Sequence, residues 1–172
     1  MADLEHRATA GLQSHGRVLS GYAAVFQSET RIGEFTERIA PGAFRDTLAS
    51  GRDVLALADH DQRSVLGRTK SGTLTLSEDG HGLAYTLTLP DTQAGRDIAA
   101  LAARGDLGGM SFGFVATDET WTGHTRELRA VELHEISVVQ AWPAYQATSI
   151  NLRNRPSVYD TRGLRYLWLQ TC

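Results

Sequence analysis

The stretch Gly82–Ala116, GLAYTLTLPDTQAGRDIAALAARGDLGGMSFGFVA, runs through a strand, a helix and a second strand in succession. Leu83, Tyr85, Leu87 and Leu89 alternate with Ala84, Thr86 and Thr88, and a period of two is the pattern of a strand with one buried face. Asp91 or Thr92 then offers a side-chain oxygen to the orphan N–H groups of a helix start. Ile98, Leu101 and Ala102 recur at helical spacing, and Gly105 supplies the residue that ends the helix. Met110–Ala116 returns to strand composition.

Outward from this stretch the same signals repeat. Arg17–Phe26 reads as a strand with Gly21 marking a bulge, and Pro41-Gly42-Ala43-Phe44 opens a short helix that carries Phe44 and Leu48 on one face and stops at Gly51. Asp53–Ala58 alternates as a strand. Gly72–Leu76 pairs through a polar turn with Gly82–Leu89, and Leu128–Val139 and a short segment near Ser149–Leu152 complete the strands. Many strands with two interposed helices predict a mainly β fold with α (α+β), a small antiparallel or mixed β-barrel with helices on its outside. Residues 1–16 read as an N-terminal arm, 17–152 as one domain, and 153–172 as a tail in which arginines alternate with aromatic and apolar residues.

Composition excludes several classes. With 41% hydrophobic and 22% charged residues in 172, the chain is ordinary for one globular core. A net charge of −3 argues against a basic surface for nucleic acid. No apolar run reaches the length of a membrane span, and Met1–Ala10 carries Asp3, Glu5, His6 and Arg7 where a signal peptide needs an apolar core, so a cytoplasmic location is expected. The lone Cys172 has no intramolecular partner, and neither cysteines nor histidines stand at metal-ligand spacing, so neither metal nor cofactor is expected.

Chemistry points to Gly108-Gly109-Met110-Ser111-Phe112-Gly113-Phe114, where small residues leave one hydroxyl open to approach. Gly109–Gly113 also fits G-x-S-x-G, but the nucleophile elbow of α/β-hydrolases needs a strand before the serine and a helix after it, the reverse of the order here. A serine among glycines is more often simply part of a turn. His60 ends an apolar strand, where a neutral imidazole can accept a serine proton if an acid orients it; an ordinary strand-end histidine reads the same way. In Leu133-His134-Glu135-Ile136-Ser137-Val138-Val139 a charged pair interrupts an apolar run, and strand alternation allows only one of His134 and Glu135 to face His60. Asp59 and Asp61 flank His60 but should point away from it.

Several segments in order carry a resemblance: Gly21-Tyr22-Ala23-Ala24-Val25-Phe26, Pro41-Gly42-Ala43-Phe44, Asp59-His60-Asp61 followed by Gly67, Gly82-Leu83, Met110-Ser111-Phe112-Gly113-Phe114, Glu135-Ile136-Ser137-Val138-Val139 and Pro143-Ala144. From about Gly21 to Leu152 the sequence resembles the prohead, or capsid-maturation, serine protease family of tailed phages, prophages and related gene-transfer particles. The resemblance implies a fold like the herpesvirus assemblin protease, a small β-barrel surrounded by helices. It implies Ser111 as nucleophile, His60 as base and Glu135 as third member, with His134 in reserve. Backbone donors for the oxyanion are expected near Gly109 and in the loop from Gln140 to Trp142. The implied substrate is the scaffolding segment of the major capsid protein, or a separate scaffold, cut inside the procapsid in the host cytoplasm. Self-cleavage, with residues 153–172 as a removable segment, goes with it, and a homodimer is among the allowed states. A non-catalytic capsid-assembly module and a small-ester hydrolase are the competing readings.

Overall fold

The computed structural model describes residues 5–9, 12–15 and 17–141. In chain order these form β1 (Glu5–Thr9), β2 (Leu12–His15), β3 (Val18–Val25), β4 (Thr30–Ile32), β5 (Phe35–Ile39), α1 (Arg45–Ala49), β6 (Leu55–Ala58), β7 (Asp61–Arg68), β8 (Leu74–Glu78), β9 (Gly82–Thr88), α2 (Gln93–Arg104), β10 (Gly109–Thr122) and β11 (Thr125–Val139). The expected strand near Ser149 and the tail lie outside the described residues.

Mainly β with few helices is the class observed, and among the described residues the strands do not close into the expected barrel. Among the described residues the strands pair into a 7-stranded sheet, ordered β1-β10-β11-β5-β4 with β6 and β7 branching from β11, and a 4-stranded sheet, ordered β2-β3-β9-β8. The branch point is β11, whose one edge is divided among partners. Thr125–Leu128 pairs in parallel with β5 and Glu135–Val138 in parallel with β6. Between them α1 takes the place of a strand. The Val131 amide donates to the Ala43 carbonyl at 2.9 Å. Thr47 Oγ1 donates to the Val131 carbonyl at 2.8 Å and accepts from the Leu133 amide at 3.0 Å. A buried strand edge needs partners for its peptide groups, and one threonine hydroxyl supplies two of them.

The core is a single apolar cluster drawn from both sheets and both helices, including Leu19, Phe44, Leu83, Leu87, Ile98, Phe112, Phe114, Ile136 and Val138. Phe44 stands edge-on to Phe112 at 5.8 Å between ring centroids, and Phe112 stacks on Phe114 at 5.2 Å. Each such ring, removed from water, contributes on the order of 2–3 kcal/mol. The helix α2 is delimited as its sequence implies. Thr92 caps it through Oγ1, which accepts from the Gly95 amide at 3.2 Å, and Gly105 ends it in the left-handed conformation at φ 74°.

Part of the N-terminal stretch set apart as an arm joins the large sheet. β1 pairs antiparallel with β10, Ala8 standing opposite Ser111. Charged residues bind it there. Arg126 reaches Glu5 at 2.5 Å, Glu37 at 3.0 Å and also Glu119. Arg7 pairs with Glu37 and Glu5 and lies 5.4 Å from the Phe114 ring centroid. Burial opposes ionisation of Glu5, but the hydrogen bond and charge of Arg126, joined by Arg7, outweigh it and hold the carboxyl below its ordinary value.

Candidate active site

The pleat of β10 and β11 sorts their side chains. Met110, Phe112, Ile136 and Val138 enter the core. Ser111 stands directly opposite Ser137, and Gly113 opposite Glu135; directly opposed residues share a face, so these four lie together on the side away from the core. Gly113, having no side chain, adds none opposite Glu135.

His60 arrives over this face from the next strand pair. Ala58 and Asp61 face one another across the β6–β7 hairpin, leaving Asp59 and His60 as its turn. Both turn residues adopt positive φ, 46° and 61°, which is the geometry of a tight two-residue hairpin but is more often taken by glycine or asparagine. The bonds that hold the turn are specific. The Asp59 amide donates to the Val138 carbonyl at 2.9 Å, and the Asp59 carboxylate accepts from the Gln140 amide at 2.8 Å and from Gln140 Nε2 at 2.6 Å. The His60 amide donates to Ser137 Oγ at 3.2 Å. His60 Nδ1 then lies 2.7 Å from Glu135 Oε1. Glu135 is only 5% exposed, and its second oxygen accepts from the Ser137 hydroxyl, so the buried carboxylate is engaged at both atoms.

His60, Glu135 and Ser111 are thus brought to one face of adjoining strands. His134 is not brought to His60: its ring lies 3.2 Å from Arg52 Nη2 and 2.9 Å from Glu132 Oε1. The alternation expected to send His134 and Glu135 to opposite faces fails at this point. Phe112 and Phe114, two residues apart, face Ile136 and Leu133, three residues apart, so a bulge in β11 places His134 and Glu135 together between two core residues. Partners, not faces, separate the two. Asp61 turns to the Arg63 amide at 2.9 Å and its guanidinium at 3.2 Å, which hold its carboxyl below the usual range.

Two expected oxyanion donors are already committed. The Gly108 amide donates to the Val139 carbonyl at 2.9 Å, and the Gln140 amide is the one bound by Asp59. Trp142 lies outside the described residues. Sequence reasoning passed over Ser137 as one letter of an apolar run and Asp59 as a neighbour facing away. The one available signal was a lone hydroxyl two residues beyond a buried acid.

The architecture matches the structure of the bacteriophage T4 capsid assembly protease, gp21, with a TM-score of 0.55 over 79% of this chain and 95% of that one, at 10% identity, a level that speaks for the fold alone. Residues 2–161 match the caudovirus prohead serine protease family, and the chain belongs to that family. No curated protein matches it. Among the described residues no helix is long and apolar enough to cross a membrane.

Proposed function

We propose that the chain is a serine endopeptidase that cleaves the scaffolding segment of the major capsid protein inside the assembling procapsid in the host cytoplasm, and cleaves itself, with Ser111 as nucleophile, His60 as base and Glu135 as the acid that orients it. The observation that carries this reading is the hydrogen bond from His60 to the buried Glu135 on the face that also holds Ser111. Ser111 Oγ attacks the scissile carbonyl while His60 Nε2 takes the hydroxyl proton. Glu135 holds the Nδ1–H tautomer and stabilises the imidazolium that forms. The same proton passes to the leaving amine, and water, activated by the imidazole, releases the acyl group from Ser111.

Co-expression with the capsid-protein precursor tests the reading. Ser111→Ala is expected to leave the precursor at full length, since losing a triad serine costs on the order of a millionfold in turnover. Equal precursor lengths with both enzymes would favour a non-catalytic assembly module. Turnover of simple esters without peptide cleavage would favour a small-ester hydrolase. Intact-mass measurement of the wild-type chain beside Ser111→Ala reads self-cleavage, including loss of residues 153–172, and sedimentation of the Ser111→Ala chain reads a homodimer.

A further inference from the structure

The Ser137 hydroxyl occupies a position that the three named residues leave without a role. It is fully buried, at 0% exposure, and it faces Ser111 directly across the β10–β11 ladder. A hydroxyl has one proton to give and lone pairs to receive with. Here it gives the proton to Glu135 Oε2 and receives the His60 amide at 3.2 Å. One atom therefore holds the backbone of the residue that carries the imidazole and the far oxygen of the carboxylate that the imidazole meets.

Both ends of that bridge need holding. His60 sits in a turn at φ 61°, a conformation that costs a non-glycine residue energy and persists only where its surroundings enforce it. Glu135 can swing about its side-chain torsions unless its second oxygen is fixed, and a carboxylate 5% exposed needs hydrogen bonds in place of the water it has lost.

We infer that Ser137 is a positioning residue for the hydrolytic site, a single hydroxyl that sets the distance and angle between His60 and Glu135. Its role is exerted through His60 and Glu135, the groups it bonds. The inference rests on the proposed roles of Ser111, His60 and Glu135.

The test uses the full chain, purified, with a peptide spanning the scaffold junction of the capsid-protein precursor as substrate. Ser137→Ala is expected to lower kcat by about 100-fold, the scale of a modest misplacement of catalytic groups, with KM little changed. Ser137→Thr, which keeps the hydroxyl, is expected to restore most of the rate. A spectroscopic readout separates positioning from mere structure. The His60 Nδ1 proton shared with Glu135 should give a low-field proton resonance in the Ser111→Ala chain, and adding Ser137→Ala should remove or move it.

A Ser137→Ala enzyme of wild-type kcat with that resonance in place would overturn the inference, as would a Ser137→Thr enzyme as slow as the alanine variant. Should Ser137→Ala not fold, hydrogen exchange at the His60 amide of the Ser111→Ala chain decides: protection supports the bridge, and exchange at the rate of an open turn overturns it. Full cleavage by Ser111→Ala would remove the site reading and this inference together. An inactive Ser111→Ala beside an unimpaired Ser137→Ala would remove only this one.

Discussion

Glu37 on β5 and Glu135 on β11 are both buried, 3% and 5% exposed, and their partners are of opposite kinds. Glu37 lies between the guanidiniums of Arg7 and Arg126, groups that do not release a proton in proteins. Glu135 lies between a hydroxyl and an imidazole, and imidazole is the side chain that exchanges its proton near neutral pH. The first arrangement fixes a strand in place; the second leaves one proton transferable. A buried acid signals chemistry only when its partner can change charge.

Breaking the transferable pair should have the largest effect. Glu135→Gln is expected to lower kcat by about 10⁴-fold, because an amide neither holds the Nδ1–H tautomer nor balances the imidazolium; initial rates of precursor cleavage measure it. Glu37→Gln should leave the rate per folded molecule within a few-fold. Breaking the fixed network acts on stability instead. Arg126→Met leaves Glu5 and Glu37 with Arg7 alone, and removing one partner from a buried ionic cluster costs about 3–5 kcal/mol, measurable by urea denaturation.

Acid should separate the two sites more gently. The carboxyl of Glu5 titrates below its ordinary value of 4.5 when folded. Its contribution is therefore complete above that value and is lost as pH falls below it through the lower folded value. Amide exchange in Glu5–Thr9 should accelerate over that range ahead of exchange in β9. The smallest effect is expected from Gln140→Ala, which removes the Nε2 bond to Asp59 but keeps the backbone one. A single exposed hydrogen bond is worth roughly 0.5 kcal/mol, about a two- to threefold loss of rate if the His60 turn loosens.

Local signals were readable where one segment contains both the need and its answer. The Thr92 cap, the Gly105 stop and the alternation of Leu83–Leu89 correspond to α2 and β9 with little displacement. Glu135 stood out because a charged residue in an apolar run demands a partner, whereas Ser111 and His60 were raised above an ordinary turn serine and strand-end histidine only by the family resemblance. What remained hidden depends on residues distant in sequence. Phe35–Ile39 contains Thr36, Glu37 and Arg38, and the partner that explains the buried Glu37, Arg126, lies 89 positions further along the chain. The division of one β11 edge among β5, α1 and β6 was equally hidden, because nothing local to Thr125–Val139 specifies it. The bulge that undid the alternation of His134 and Glu135 appears only once β10 is aligned against them.

The spacing of these partners along the chain has a consequence for biosynthesis. The imidazole and its carboxylate are 75 positions apart, and β11 meets β6 in parallel, so no short hairpin can bring them together early. Contacts of such long range form late. While the polypeptide is being made, the histidine hairpin leaves the ribosome well before the strand that completes it. On the proposed roles of these residues, the site of a nascent chain is therefore incomplete until synthesis has passed β11.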